Sequence, residues 1–395
     1  MYKNILVTLD NSQYSLWGLD YALEMAKTFG STLVGNHVYA SKLHEERFVQ
    51  MEPGLPAKYQ DPVELQKQRD IHASLIDKGL QLISDSYLDV FQERCKATDG
   101  VKYVKKTMEG KNYNELVKDV EESSYDLVAL GAKGLGESPN SPLGSVCERV
   151  TRRISVDTII MKKELKLHGG HIVVGVDGSE QSFAAIKAAA SMNKHLGCKV
   201  TALAVFDPHF HYRAFDSISK VLSEEAGKVF KFEEQEKLHN EIIDSGLEKI
   251  YEDHLNNAIK MAEGMGAAIE GEVLAGKPHE EILKWIENKD IALLILGKIG
   301  VHSVDEHEIG SNSENLLRNA DCNIMLVSRK EKLEDTLGEA EGEMEWTEEA
   351  QELLQRVPGF VQNMVRGHME ANARKQGVTL ITGEMMREAR KKVGM

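Results

Sequence analysis

The chain has 395 residues, of which 42% are hydrophobic and 28% are charged, enough for two or three domains with buried cores and too many for a small disulfide-stapled protein. Its 63 acidic residues outnumber the 48 basic ones, and the net charge of -15 disfavours binding to a nucleic-acid backbone. The four cysteines form no CxxC pair and no apolar run reaches the roughly 20 residues of a membrane helix, so we expect a cytoplasmic protein with reduced thiols, no nucleic-acid partner and no membrane span.

An internal repeat organises most of the chain. The strand-like KNILVTLD near the start returns as GHIVVGVD, and YDLVALGAKG returns as IALLILGKIG. We expect one domain over residues 1–162 and a second over 170–328, here named copy one and copy two, joined by the polar segment KKELKLHGG. Three matched pairs illustrate the repeat: Asp10 with Asp177, Gly30 with Gly197, and Val38 with Val205.

Each copy alternates short apolar runs with amphipathic stretches. In chain order, copy one has the runs NILVTLD, TLVGNHVY, VKYVKKTME, YDLVALG and DTIIMKK, and copy two has HIVVGVD, KVTALAVF, AIEGEVL, IALLILG and CNIMLVS. Between the runs we predict helices, two of which begin at Ser179 and Pro278, and one of which ends at Gly197. This order predicts an α/β fold with a doubly wound, parallel, five-stranded sheet in each copy. Both copies also contain a long helical insertion after the second strand, at residues 41–96 and 208–264.

A different composition begins after residue 328. Residues 329–345 are mostly acidic and are interpreted as a mobile linker. Residues 346–395 contain three short amphipathic stretches, separated near Pro358, Gly377 and Thr382, and predict a small all-α module. Its expected core consists of Trp346, Leu353, Val357, Phe360 and Val365.

Strand four of each copy leads into the same glycine pattern, GxxG followed by nine residues and then Gly-Ser. Glycines after a parallel strand let backbone N–H groups approach an anion, and the Gly-Ser that opens the next helix adds a helix N-terminus and a hydroxyl. Strand one ends at an aspartate in the same crevice, where open α/β sheets bind ligands. The pattern predicts a phosphate-containing ligand; the alternative is that the glycines only make tight turns. The predicted residues are Asp10, Gly131, Gly134, Gly144 and Ser145 in copy one, and Asp177, Gly297, Gly300, Gly310 and Ser311 in copy two.

On these motifs, both copies resemble universal stress protein domains. The resemblance implies strand order 3-2-1-4-5 in each sheet, pairing of the two copies through strand five, and ATP as the ligand, while further association of whole chains stays open. It also implies that Asp10 and Asp177 contact the nucleoside. The backbone of Val38 and of Val205 would contact the adenine, and the Gly and Ser positions would contact the ribose and the phosphates. The implied function is that of an adenine-nucleotide-binding regulatory protein.

The two copies differ in the loop between the glycines. Copy two carries Asp305, Glu306 and Glu308, whose charges would repel a triphosphate unless a divalent ion such as Mg²⁺ offset them. Copy one carries Glu137, with Lys133 nearby. We therefore expect copy one to be the better nucleotide site.

A second glycine-containing segment resembles a Walker-type phosphate loop. Residues 271–278, GEVLAGKP, match that loop up to Lys277, but Pro278 replaces the Ser or Thr whose hydroxyl would hold magnesium. Proline also suits the first position of the following helix. The sequence shows no nucleophile–base–acid arrangement, so we expect any ATP hydrolysis to be slow.

The insertions share a pair of histidines, His44 with His72 in copy one and His211 with His239 in copy two. Each pair could meet across a helical hairpin and bind a metal or a planar cofactor. The alternative is that the histidines are hydrogen-bonded helix residues that position the insertion against the sheet, because no further Cys or carboxylate completes a ligand set.

Residues 346–390 resemble the C-terminal domain of the B subunit of light-independent protochlorophyllide reductase. The reductase body and its cluster cysteines have no counterpart in the chain, so the resemblance does not imply reductase activity. It favours a helical module that docks a protein partner, and it leaves a tetrapyrrole- or metal-handling accessory protein, or a slow nucleotide hydrolase, as alternative functions of the chain. The residues that carry it are Trp346, Ala350, Val357, Pro358, Phe360, Val361, Arg366, Glu370, Ala373, Gly377, Ile381, Thr382 and Ala389.

Overall fold

In the computed structural model of the protein, strands from both copies join one ten-stranded sheet. The structure describes residues 1–138, 140–208, 244–301, 309–333, 344–357 and 378–392, together with 362, 365–367, 369–370 and 372–373. Across those ranges, every helix is too short or too polar to cross a lipid bilayer.

The strands of copy one follow the predicted order along the chain. They are β1 (Asn4–Thr8), β2 (Thr32–Tyr39), β3 (Lys102–Glu109), β4 (Leu127–Gly131) and β5 (Asp157–Met161). The helices are α1 (Gln13–Phe29), α2 (Ser41–Met51), α3 (Pro62–Ala97), α4 (Asn112–Glu122) and α5 (Ser145–Arg153). Two short 3-10 helices, Glu52–Gly54 and Ala57–Tyr59, connect α2 to α3.

Copy two repeats this order. Its strands are β6 (His171–Val176), β7 (Lys199–Phe206), β8 (Glu270–Ala275), β9 (Ile291–Gly297) and β10 (Asn323–Val327). Its described helices are α6 (Glu180–Leu196), α7 (Asp244–Gly264), α8 (Pro278–Ile286) and α9 (Ser311–Asn319). The C-terminal region adds β11 (Glu345–Trp346), α10 (Glu348–Gln355), β12 (Leu380–Ile381) and α11 (Gly383–Lys392).

The strand order across the large sheet is β3-β2-β1-β4-β5-β10-β9-β6-β7-β8. Each half has the order 3-2-1-4-5 with parallel neighbours, which confirms the predicted doubly wound sheets. The halves meet where β5 runs antiparallel to β10. This seam joins the last strand of each copy, so the two copies form a pseudo-twofold pair within one chain, and each covers the other's edge strand.

Local sequence signals set the helix boundaries. The hydroxyl of Ser12 accepts a hydrogen bond from a backbone N–H of the first turn of α1, and Ser179 does the same for α6. Both helices end at a glycine in the left-handed conformation, Gly30 at φ 71° and Gly197 at φ 65°. Pro278 is the first residue of α8. The predicted starts at Ser179 and Pro278 and the predicted stop at Gly197 are thereby confirmed.

The first residue of β5 and the first residue of β10 each bind the backbone that follows the other strand. Asp157 Oδ1 accepts hydrogen bonds from the backbone N–H groups of the two residues that follow β10, at 2.8 and 3.2 Å. At the matching position of copy two, Asn323 Oδ1 accepts them from the two residues that follow β5, at 2.8 and 3.0 Å. Both side chains are buried, so buried hydrogen bonds connect β5 and β10 at both ends of their pairing.

Helices α5 and α9 add a reciprocal pair of ion pairs across the seam. Glu148 on α5 pairs with Arg318 on α9 at 2.5 Å, and Arg152 on α5 pairs with Glu314 on α9. All four side chains are about one-third exposed, so each pair contributes little stability. Their repetition follows the pseudo-twofold relation between the two copies.

Lys298 is a buried cation at this seam. Its Nζ donates hydrogen bonds to the carbonyl oxygens of Ile154 at 2.6 Å and Arg152 at 3.3 Å, at the C-terminal end of α5. Burial lowers the pKa of Lys298 to about 8. Only 3% of Lys298 is exposed, so the charged amine loses its hydration in the folded protein, and this loss disfavours the charged form.

We expect the stability of the parent protein, relative to Lys298→Met, to rise between about pH 8 and pH 10. An unfolded lysine has a pKa of about 10.4, so in this window the unfolded chain binds more protons at this position than the folded chain, and the free energy of unfolding increases with pH. The gain should be on the order of 2 kcal/mol, measured by urea unfolding of both proteins at several pH values. A stability difference that stays flat across the window would contradict it.

The insertion of copy one is a helical hairpin formed by α2 and α3. Phe91 of α3 is fully buried against Gly35 of β2, where a Cβ would lie 2.7 Å from the ring. Farther along the hairpin, the rings of Phe48 and His72 stack with centroids 4.3 Å apart. The long helix α3 is therefore fastened to the strand that carries Val38.

The first residues of the predicted linker lie against copy two. The backbone N–H of Glu331 donates to the carbonyl oxygen of Glu180 at 3.0 Å, and its carboxylate pairs with Lys187. Leu333 packs against the main hydrophobic core. Residues 329–333 thus contact the α/β body, and residues 334–343 of the predicted linker lie outside the described ranges.

The C-terminal region has a small hydrophobic core of its own. Helices α10 and α11 correspond to two of the three predicted helices, and each described residue between 362 and 373 is helical. The sequence did not predict the two-residue parallel pairing of β11 with β12. Phe360 of the expected core lies outside the described residues. The buried members of the core are Ala350, Leu354, Met369, Ala373, Ile381 and Met386, with Trp346, Leu353 and Val365 packed against them.

Candidate functional site

A cavity of about 540 Å³ opens at the carboxyl ends of β1, β2 and β4 and at the N-terminus of α5. This is the edge of a doubly wound sheet where ligands bind. The structure brings together all of the residues that the sequence singled out in copy one. The cavity is lined by Asp10, Val38, Gly131, Gly134, Gly144 and Ser145.

Asp10 connects the end of β1 to the glycine loop that follows β4. Its Oδ1 accepts a hydrogen bond from the backbone N–H of Ser12 at 3.0 Å, and its Oδ2 accepts one from the backbone N–H of Leu135 at 3.3 Å. A Cβ at Gly134 would lie 2.5 Å from that same Oδ2. Glycine lets the carboxylate take the space that a side chain would occupy, which relates the GxxG pattern to the aspartate.

Gly144 brings the N-terminus of α5 onto the glycine loop. It is the residue before the first helical turn, its N–H donates to the carbonyl oxygen of Ala132 at 2.7 Å, and a Cβ would meet that oxygen at 3.3 Å. Ser145 then opens the helix at the cavity wall. The unpaired N–H groups and the dipole of a helix N-terminus attract anions. This part of the cavity suits a phosphate.

Gly131 lets the start of α1 approach the end of β4. A Cβ at this glycine would lie 2.9 Å from Cβ of Tyr14 and 3.0 Å from the backbone nitrogen of Ser15. Lys133 and Glu137, the charged pair of the copy-one loop, both line the cavity. Burial, and next a hydrogen bond to Glu137, raise the pKa of Tyr14.

His37 is a cavity residue that the sequence motifs do not mark. It lies on β2 next to Val38, and its Nδ1 is 2.8 Å from the hydroxyl of Ser84 on α3. The ring of Tyr87, also on α3, meets the imidazole edge-on with centroids 5.0 Å apart. Burial lowers the pKa of His37, while the negative charge of Asp10 acts in the opposite direction. The insertion of copy one therefore positions a side chain of the cavity wall, although the residues that line the cavity come from outside the insertion.

Copy two repeats the aspartate–glycine contact. Asp177 Oδ2 accepts a hydrogen bond from the backbone N–H of Val301 at 3.0 Å, and a Cβ at Gly300 would lie 2.8 Å from that oxygen. Gly310 precedes α9, which begins at Ser311, and packs on the glycine loop as Gly144 does. Val205 is buried on β7, and Gly297 ends β9. The acidic residues Asp305, Glu306 and Glu308 lie outside the described residues.

One neighbour of Asp177 distinguishes copy two from copy one. His254 of α7 is 6% exposed, and its ring packs on Gly178, where a Cβ would overlap the imidazole. Gly178 has a φ of 82°, a conformation that favours glycine. Burial lowers the pKa of His254, and Asp177 opposes that shift. The imidazole comes from the insertion helix in copy two and from the second strand in copy one.

The Walker-like segment comprises the end of β8 and the first residue of α8. Lys277 precedes the first turn of α8, and its Nζ contacts the carboxylate of Glu280 at 2.8 Å. Gly276 has a φ of 144° and lies against the side chain of Glu281. Each of the positions in GEVLAGKP that suggested a phosphate loop thus has a local structural role.

Of the paired histidines that the structure describes, His72 has an aromatic neighbour. His72 stacks on Phe48, and His44 lies one helical turn before that ring on α2. His211 and His239 fall outside the described residues. Among the described residues, no three His, Cys, Asp or Glu side chains form a group suited to a metal ion. The stacked contact gives His72 and Phe48 a structural role in the hairpin.

Comparison with known proteins gives two distinct likenesses. The model of the Universal stress protein family matches residues 1–162 and 170–328, and that of the Proto-chlorophyllide reductase 57 kD subunit matches residues 346–390. The B subunit of light-independent protochlorophyllide reductase from Chlorobium limicola is 43% identical over 51 residues, 13% of this chain and 10% of that protein. The chain thus spans only a tenth of that relative's length.

The α/β body has relatives along most of its length. A universal stress protein of Methanocaldococcus jannaschii is 28% identical over 166 residues, which make up 41% of this chain and 83% of the relative. The crystal structure of a universal stress protein from Archaeoglobus fulgidus covers 82% of this chain and 97% of its own, with 18% identity and a TM-score of 0.51. That likeness concerns the fold. With both copies matched by the family model, the chain belongs to the universal stress protein family.

Proposed function

We propose that the protein is an adenine-nucleotide-binding regulatory protein and that ATP binds in the copy-one cavity. The observation that carries the proposal is the convergence of Asp10, the GxxG loop and the N-terminus of α5 on one cavity. The backbone N–H groups near Gly144 and the hydroxyl of Ser145 suit the phosphates, with Lys133 adding a positive charge. The carboxylate of Asp10 suits hydroxyl groups of the ribose, and the backbone of Val38 suits the adenine.

Copy two is proposed as a second, weaker nucleotide site. Its Asp177, Gly300 and Gly310 repeat the geometry of copy one. The sequence of its loop carries three acids whose negative charge would oppose a triphosphate, so occupancy there would depend more strongly on Mg²⁺. The cavity of copy one carries no arrangement of nucleophile and base among its described lining residues, and binding rather than turnover is the proposed activity.

The C-terminal region is proposed to dock a protein partner. It has its own small core, and its likeness to the reductase subunit covers too little of that protein to carry reductase chemistry. A core of this size is marginal by itself, so contact with a partner would stabilise it. Tetrapyrrole handling is the competing function. It differs from partner docking because a bound tetrapyrrole would give the protein a visible absorption band.

We expect the purified full-length protein to release an adenine nucleotide on denaturation, identified by mass spectrometry, and to bind ATP in calorimetric titration. A chain that ends at Leu333 should bind ATP equally well, because the cavity lies wholly in copy one. A visible absorption band with no nucleotide would favour the tetrapyrrole role, and steady ATP turnover would favour a hydrolase. Loss of binding on truncation would make the C-terminal region part of the nucleotide site and contradict the docking role.

A further inference from the structure

The copy-one cavity carries a histidine that copy two lacks at the matching position. Thr8 pairs with Asn36 where β1 and β2 lie side by side, so Asp10 and His37 follow closely on the last paired residues of two adjacent strands. Both side chains line the cavity. In copy two the strand position of His37 is Ala204, on β7.

Contacts with α3 indicate which ring nitrogen of His37 carries the proton. The hydroxyl of Ser84 donates its hydrogen to the carbonyl oxygen of Leu80 at 2.9 Å, so its oxygen is the acceptor for Nδ1–H of His37. Nδ1 is therefore protonated, and Nε2 of the neutral ring carries a free lone pair. Ser84 is fully buried, and it fixes both the tautomer and the ring orientation.

Asp10 keeps acceptor capacity beside this ring. Each of its carboxylate oxygens accepts one backbone hydrogen bond, from Ser12 or from Leu135. A carboxylate has about four lone-pair positions. The cavity wall at the ends of β1 and β2 thus offers two hydrogen-bond acceptors, a carboxylate and an imidazole nitrogen, to one ligand. A ligand that pairs with two neighbouring acceptors must carry two neighbouring hydrogen-bond donors. The vicinal hydroxyl groups of ribose are such donors.

We propose that His37 is a specificity-determining residue of the copy-one site, where its Nε2 accepts a hydrogen bond from a ribose hydroxyl and selects ribonucleotides over deoxyribonucleotides. The inference rests on the proposed nucleotide function and extends it to a substrate class. Burial lowers the pKa of His37 and favours the neutral, accepting ring. Ser84 acts through His37 and is a positioning residue.

Copy two has no imidazole at the strand position that corresponds to His37. Ala204 has no hydrogen-bonding side chain, and the imidazole of His254 lies instead against the backbone at Gly178, almost fully buried. The acceptor pair is therefore a feature of copy one, and the two sites should differ in their response to the ribose.

The test compares ATP with 2′-deoxyATP and 3′-deoxyATP by calorimetry, using the full-length parent and His37→Phe. Phenylalanine keeps the ring and its edge contact with Tyr87 but removes the acceptor. The parent should prefer ATP over at least one deoxy analogue by about 3- to 10-fold, the range of one hydrogen bond. In the variant that preference should disappear, through weaker ATP binding and unchanged binding of the analogue.

His72→Phe is the matched control, because it makes the same histidine-to-phenylalanine change in copy one, on α3 and outside the cavity lining. It should keep the preference, and Ser84→Ala should lose part of it because the tautomer is no longer held. Equal weakening of ATP and both analogues by His37→Phe, or no preference in the parent, would overturn the inference and leave nucleotide binding intact. A parent that binds no adenine nucleotide would overturn the proposed function as well.

Discussion

Gly134→Ala should weaken ATP binding by copy one on the order of 100-fold, or about 2.7 kcal/mol. The new Cβ would lie 2.5 Å from Oδ2 of Asp10, closer than nonbonded atoms approach. The carboxylate must rotate away or the loop must shift. Rotation of the carboxylate breaks the hydrogen bond from the N–H of Leu135, and a shift of the loop displaces backbone groups that the proposed site aims at the nucleotide. Calorimetric titration of the full-length variant measures the effect.

The same loop supplies the control. Gly136 also lines the cavity, but a Cβ there meets nothing within 4 Å. Gly136→Ala should therefore bind ATP within about 2-fold of the parent. The contrast separates the close approach of Asp10 from a general effect of stiffening a glycine loop. If both variants bound ATP like the parent, the glycine loop would not belong to the nucleotide site.

Gly300→Ala extends the comparison to copy two, where the Cβ would lie 2.8 Å from Asp177. It should leave the copy-one site unchanged, because the two glycine loops belong to different halves of the sheet. Any second class of binding sites in the titration should weaken in this variant alone. The two substitutions together thus assign each class of sites to its copy.

Local signals in the sequence predicted most of the fold. Ser179, Pro278 and Gly197 mark helix ends because a hydroxyl, a fixed φ and a left-handed φ act within one or two turns. The glycine and aspartate motifs recur in two copies, and the structure places those of copy one around one cavity. The family resemblance supplied the order of the strands, which local patterns leave open.

Contacts between distant residues leave no local signal in the sequence. His37 becomes a cavity group through Ser84, 47 positions away, and no spacing rule connects a strand residue with a helix of the insertion. One of the two alternatives for the insertion paired its histidines on spacing alone, and spacing gave no indication that the ring of His72 stacks on Phe48. The pairing of β11 with β12 involves strands of two residues, too short to leave a periodic pattern.

Asp157→Ala should lower the free energy of unfolding by about 3–5 kcal/mol, the largest stability effect that we predict. Asp157 is 2% exposed at the start of β5. Its carboxylate accepts a hydrogen bond from the hydroxyl of Tyr2 at 2.9 Å and pairs with Arg329 at 3.4 Å. It also accepts from the backbone N–H of Ser328 at 2.8 Å. Alanine would leave a buried phenol, a half-buried N–H and a cation without the acceptor that Asp157 supplies.

A graded series tests whether charge or hydrogen bonding dominates at the seam. Asp157→Asn retains an acceptor for Ser328 and copies the residue that copy two uses at Asn323, so it should be less destabilising than Asp157→Ala. Asn323→Ala removes hydrogen bonds but leaves no charge without a partner. We expect it to lower the free energy of unfolding by about 1–3 kcal/mol. Asp290→Ala, at a fully exposed carboxylate, should change stability by less than about 0.5 kcal/mol.

Urea unfolding at neutral pH measures the series, with the midpoint and its slope recorded for each variant. The expected order of destabilisation is Asp157→Ala first, then Asn323→Ala, then Asp290→Ala. Because Asp157 and Asn323 hold opposite ends of the same antiparallel pair and share no hydrogen-bond partner, their effects should add within about 0.5 kcal/mol in the double variant. An Asp157→Ala protein as stable as Asp290→Ala would mean that the two halves hold together without this contact, and that β5 and β10 owe their pairing to apolar burial alone.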